Sequence, residues 1–138
     1  MSLNQSEREL LAGLADVLIP ASAELPSASE AGVADQGLDA VLTARPDLLG
    51  ALKELLRQVE GQAPATAVAS LRSGDSALFG FLGEIVAGAY FLNPRVRQAI
   101  GYHGQTRQPI PAEPDYLEDG LLESVIARGP IYRPTPKE

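Results

Sequence analysis

Residues 75–104 read DSALFGFLGEIVAGAYFLNPRVRQAIGYHG, and the reading of this stretch decides the fold. Leu78, Phe79, Phe81, Leu82, Ile85, Val86, Ala89 and Tyr90 recur at spacings of three and four, the repeat of one broad helical face. Asp75 or Ser76, following Gly74, supplies a short side-chain oxygen for the unpaired amides of the first turn. Pro94 lacks an amide hydrogen and disfavours a helical conformation at Asn93, so the helix stops there. Asn93 and Pro94 then suit the N-cap and first position of a short second helix through Ile100, which Gly101 can end in a left-handed conformation. The stretch predicts a central helix, a corner at Phe91 to Pro94, one or two further turns, and a loop carrying Tyr102 and His103.

Gly80, Gly83 and Gly88 each weaken the central helix by about 1 kcal/mol relative to alanine. Close approach of a neighbouring helix would offset that loss; a ligand lying against bare backbone is the other explanation. Glu84 stands among apolar neighbours, either as an ion-pair partner for Arg95 or Arg97 or as a residue facing water.

Upstream, Ser6 and Glu9 have the spacing of a capping box at the head of a helix whose inner stripe is Leu10, Leu11, Leu14, Ala15, Val17 and Leu18. Pro20 closes it. From Ala21 to Gly32 no stripe can be drawn, and this is a loop from which Leu25 and Val33 can reach the core. Leu38, Val41 and Leu42 mark a short helix from about Asp35, ended by Arg45 and Pro46. Pro46 is a good first residue for the next helix, which carries Leu48, Leu49, Leu52, Leu55, Leu56 and Val59 on one side and ends at Gly61. Pro64 opens a weaker segment marked by Val68 and Leu71. After Gly104, Pro109, Pro111, Pro114, Pro130, Pro134 and Pro136 leave only Leu117 to Ala127 with helical spacing. With no run of period two, the fold expected is all-α: an irregular bundle of five to seven helices in a single domain of residues 1–138, with residues 105–138 a proline-rich, extended C-terminal segment including one short helix.

Composition narrows the function classes. The chain has 138 residues, 45% of them hydrophobic, enough to bury a core without staples, and no cysteine for disulfides or thiolate metal sites. A net charge of −7 argues against nucleic acid and against an anionic membrane surface. No apolar run approaches the roughly 20 residues of a membrane span, and MSLNQSERELLAGL lacks the apolar core of a signal peptide, so the chain reads as not exported and as cytoplasmic.

No catalytic set emerges. His103 is the single histidine, no GxSxG marks a serine for it, and GYHG has neither phosphate-loop nor dinucleotide spacing. Glu113, Asp115, Glu118, Asp119 and Glu123 form an acidic run without calcium-loop spacing, so no metal site is expected there.

Four segments, LIP at 18–20, LPSASEAGV at 25–33, GAYFLNP at 88–94 and IGYHG at 100–104, resemble in order and character the small subunit (subunit 3, or gamma) family of membrane-bound gluconate 2-dehydrogenase. The resemblance runs from about Glu9 to Gly104. It implies a non-catalytic partner of a flavin-dependent sugar or sugar-acid dehydrogenase, with FAD and haem c residing in flavoprotein and cytochrome c subunits rather than in this chain. Such a subunit assists folding, assembly or export of the catalytic subunit. Many members begin with a twin-arginine leader, whereas this chain begins at Met1 with only Arg8; a periplasmic location would follow if a leader had been removed. No catalytic residue is carried over. The expectation is an accessory subunit whose partner- or ligand-binding surface is formed by Tyr90, Phe91, Asn93, Tyr102 and His103, although Tyr90 and Phe91 equally extend the buried stripe. The alternative is a stand-alone small-molecule-binding or enzymatic domain with a pocket near Glu84, Tyr102 and His103.

Overall fold

The computed structural model describes residues 2–107 and 120–131, and within them all regular structure is helical. The chain falls into two compact units, Met1–Gly104 and Gln105–Glu138. In the first, α1 (Gln5–Leu18), α2 (Leu38–Ala44), α3 (Leu48–Val59), α4 (Pro64–Gly74), α5 (Ser76–Leu92) and α6 (Pro94–Ala99) follow one another, with a π-type turn at Val33–Gly37 leading into α2. The second holds α7 (Glu123–Arg128), which buries none of its residues.

The capping box of α1 is formed by Asn4 and Glu7, not by Ser6 and Glu9. Asn4 Oδ1 accepts from the Glu7 amide at 2.9 Å while the Asn4 amide donates to Glu7 Oε2 at 2.7 Å. Asparagine caps as well as serine and both pairs share one spacing, so the sequence alone did not choose. What separates them is burial of Leu3, which brings the chain onto the core immediately before Asn4. Starting there also lets Arg8 reach from α1 to the Ala34 carbonyl at 2.7 Å and to Asp39 at 2.6 Å, tying α1 to the π-type turn and α2. Val17, expected on the inner stripe, faces outward.

Two helices share the organising role expected of α5 alone. α1 packs on α3, α4 and the π-type turn; α5 packs on α2, α4, α6 and the same turn. Leu11 and Leu14 from the first and Leu82, Ile85 and Val86 from the second are fully enclosed, with Leu52, Leu55 and Leu56 of α3 filling the remainder. α3 begins at Leu48 rather than Pro46, because Arg45 to Leu49 first make a turn in which the Leu48 amide donates to the Arg45 carbonyl at 3.2 Å. Among the described residues no helix is long and apolar enough to cross a membrane.

The glycines of α5 are not sites of close helix approach. A Cβ at Gly80 or Gly83 would meet no atom within 4 Å, and one at Gly88 only Val41 Cγ2 at 3.8 Å. Close approaches are made instead by Gly13 of α1, where a Cβ would lie 3.0 Å from Pro64 Cγ, and by Gly37, where one would lie 3.0 Å from the Ala89 carbonyl oxygen and 3.1 Å from the Ala89 Cβ. Helical spacing locates a glycine on a face but not how near the next backbone lies. Gly80→Ala therefore raises stability by up to about 1 kcal/mol, as a helix-interior glycine loses its entropic handicap. Gly37→Ala lowers it by about 1–3 kcal/mol through overpacking; urea unfolding of both variants measures the opposite signs.

Candidate functional site at the helix corner

The corner expected at Phe91 to Pro94 is present, and both ends of α5 are closed by local chemistry, the far end by Asp75 and the corner end by Asn93. Asp75 Oδ1 caps α5 at the Leu78 amide, 2.9 Å away. At the other end α5 gives way to extended backbone at Asn93, whose Oδ1 accepts from the amides of Arg95 at 2.8 Å and Val96 at 3.4 Å. α6 is held down by Val96, which is fully buried. It ends as expected at Gly101, with φ of 70°: the Tyr102 amide donates to the Arg97 carbonyl at 2.8 Å and the Gly101 amide to the Gln98 carbonyl at 3.1 Å. This paired arrangement satisfies carbonyls that a helix end leaves open, and it sets the direction in which Tyr102 and His103 leave the helix.

The loop at 25–33 is what the corner is fastened to. Ser27 and Glu30 satisfy each other's backbone, the Ser27 amide donating to Glu30 Oε2 at 2.8 Å and the Glu30 amide to Ser27 Oγ at 3.3 Å. Asp16 of α1 accepts from the Ser29 amide at 2.8 Å and the Ser29 hydroxyl at 2.7 Å. Burial pushes the Asp16 carboxyl up, but the bonds from Ser29 and Ser27 together outweigh it and leave its pKa below the ordinary value. From α5, the Tyr90 hydroxyl donates to the Pro26 carbonyl at 2.8 Å, and Asn93 Nδ2 donates to the Ala31 carbonyl at 2.8 Å. Two segments of the resemblance, LPSASEAGV and GAYFLNP, are thus joined by hydrogen bonds across more than sixty residues of chain.

This separates the expected surface residues into two groups. Tyr90 is only 2% exposed and its burial raises the pKa of the hydroxyl, which keeps it a proton donor to Pro26. Asn93 spends both ends of its amide on the cap and the loop. Tyr90 is scaffold; Asn93 is half-buried and holds the scaffold together while its edge borders a small depression beside Leu92. Phe91, by contrast, is 51% exposed and meets Tyr90 edge-on, with ring centroids 5.6 Å apart at 80°. Tyr102 is also 51% exposed, and it borders with His103, Pro94, Arg97 and Gln98 a shallow depression of about 310 Å³. Leu92 and Ile100, which the sequence reading left out of the surface, are exposed as well. A signal for Phe91 did exist: Glu84, Gly88 and Phe91 fall at spacings of four and three, the outward stripe of the same helix.

Glu84 does not join Tyr102 and His103. It lies two turns up α5, about 12 Å of helix rise from Leu92, and does not border their depression. Nor does it pair with Arg95 or Arg97; its field reaches Arg45, whose guanidinium is held above its ordinary value first by the hydrogen bond to Asp47. A larger depression of about 490 Å³ lies between α1 and α3, but its cations are neutralised internally, Lys53 by Glu7 at 3.9 Å and Arg57 by Glu54 at 2.6 Å. Among the described residues no three His, Asp or Glu side chains gather where they could hold a metal ion. The acidic run from Glu113 lies, apart from Glu123, outside the described residues.

Compared with protein families, with curated proteins and with solved structures, the chain matches none.

The division between scaffold and surface predicts separable effects. Tyr90→Phe removes one neutral hydrogen bond and leaves the Pro26 carbonyl without its donor, lowering stability by about 0.5–1.5 kcal/mol. Tyr102→Ala, at a half-exposed site, leaves it within about 0.5 kcal/mol. Thermal or denaturant unfolding of the two variants distinguishes them.

Proposed function

We propose that the chain is a non-catalytic accessory subunit that binds a larger protein through the α5–α6 corner. The observation that carries this reading is the exposure of Phe91, Leu92, Ile100 and Tyr102 around a corner whose scaffold is fixed by part-buried hydrogen bonds. Large apolar and aromatic side chains held on a rigid support are what protein interfaces concentrate at their centres, because little side-chain entropy remains to be lost on binding.

The partner we propose is a flavin-dependent sugar or sugar-acid dehydrogenase, carrying FAD, with a cytochrome c subunit as its electron acceptor. The support for that identity is the resemblance of the four segments to the gluconate 2-dehydrogenase small subunit. Within this reading the chain holds neither FAD nor haem and assists folding or assembly of the flavoprotein. Export of the complex belongs to the same proposal.

Purification of the tagged full chain from its native host is the test. The expected result is a stoichiometric companion identified as a flavoprotein, with flavin absorbance in the eluate. Phe91→Ala combined with Tyr102→Ala weakens the complex by about 1.5–3 kcal/mol, while the chain stays folded and loses only the roughly 0.5–1.5 kcal/mol of the Phe91–Tyr90 ring contact. A colourless chain eluting alone under gentle salt contradicts the reading, as does a flavoprotein held equally well by the double variant.

A further inference from the structure

The corner offers two depressions that share Pro94 as a wall. On one side Arg97, Gln98, Tyr102 and His103 border about 310 Å³. On the other, Gly37, Ala40, Ala89 and Leu92 border about 220 Å³. Ligand pockets occupy roughly 300–1,000 Å³; the first depression is at the lower edge of that range and the second below it, room for side chains of an extended segment. Their chemistry differs across Pro94: cationic and aromatic on the Arg97 side, mainly aliphatic on the Leu92 side.

Two arginines and a histidine lie close together in the sequence at the corner. Between Ile85 and Gly104 the sequence contains no Asp or Glu, yet it contains Arg95, Arg97 and His103. Elsewhere Arg8, Arg45, Lys53 and Arg57 each pair with a carboxylate, while Arg72 on α4 and Arg128 on α7 have no such partner among the described residues. Arg95 and Arg97 have no such partner among the described residues. In a chain of net charge −7, arginines left without a carboxylate beside exposed Leu92 and Tyr102 form a local surface complementary to negative charge.

We infer that the corner docks an extended acidic segment of a protein partner, seating a carboxylate against Arg97 and a large apolar side chain in the depression walled by Leu92, with Pro94 between them. The inference rests on the corner being an interaction surface and not on the partner being a dehydrogenase. A guanidinium meets a carboxylate through parallel N–H donors, which gives direction as well as attraction. Arginine and tyrosine are also the side chains most enriched among residues that dominate binding energy. A nucleic acid fits less well: its affinity grows with the number of phosphates neutralised, and an otherwise acidic chain repels the remainder. An anionic bilayer is repelled for the same reason.

Selection of a random-peptide display library on the full chain tests this, followed by affinities of the enriched synthetic peptides. The enriched sequences are expected to combine Asp or Glu with a nearby Leu, Ile, Phe or Tyr. Their binding falls at least about tenfold in the Arg95→Glu, Arg97→Glu variant and weakens with added salt. Arg95→Gln with Arg97→Gln keeps the aliphatic stems and shows the same direction of loss at an unchanged melting temperature. No enrichment, enriched peptides without carboxylates, or binding by both variants equal to that of the wild type overturns the inference; so does a preference for phosphatidylserine vesicles over every peptide. Failure here alongside a co-purifying flavoprotein leaves the accessory reading standing on a different contact, whereas success without a flavoprotein keeps the docking surface and removes the dehydrogenase.

Discussion

A loop packed against a core must find partners for its backbone, and that requirement shapes the corner. Ala28 and Ala31 are buried and Pro26 is half-buried, so the carbonyls of Pro26 and Ala31 are partly withdrawn from water and take donors from the protein. α5 provides them twice, through the Tyr90 hydroxyl and the Asn93 amide. Asn93 is the more constrained of the two. Its oxygen caps α6 while its nitrogen holds Ala31, so one side chain fixes where α5 ends, how α6 begins and where the loop lies. An aspartate would keep the cap and lose the donor; an alanine would lose both.

The exposed groups owe their placement to this arrangement. With Tyr90 turned inward to Pro26, the next residue on the helix, Phe91, points to solvent about 100° round the axis. With α6 started by Asn93 and ended by Gly101, Tyr102 and His103 leave along a fixed path beside Arg97. The surface is thus specified by part-buried polar bonds rather than by its own contacts. Alternative placements would strand the Pro26 or Ala31 carbonyl, each at about 1–3 kcal/mol.

What could be read from the sequence was what depends on near neighbours. The all-α class, the stop at Pro94, the Asn93 cap and the left-handed Gly101 are decided within a few residues, and the pattern displays them. The Asn4 cap was missed because Asn4–Glu7 and Ser6–Glu9 are locally equivalent, and burial of Leu3 decides between them. The glycines of α5 point the wrong way because spacing says nothing of distance to the next backbone, whereas Gly37, at the head of the short helix expected from about Asp35, is pressed against Ala89. The bonds from Tyr90 to Pro26 and from Asn93 to Ala31 join residues more than sixty apart, and no local signal carries them. Tyr90 and Asn93 could therefore be noticed in the sequence but not assigned to scaffold or surface.

Native-state amide hydrogen exchange of the wild-type chain and Asn93→Ala tests the central claim most directly. If one side chain joins loop and corner, amides at 27–33 and at 95–102 open with a common free energy in the wild type and lose protection together in the variant. Independent opening of the two segments in the wild type, or loss confined to α6 in the variant, would contradict the account.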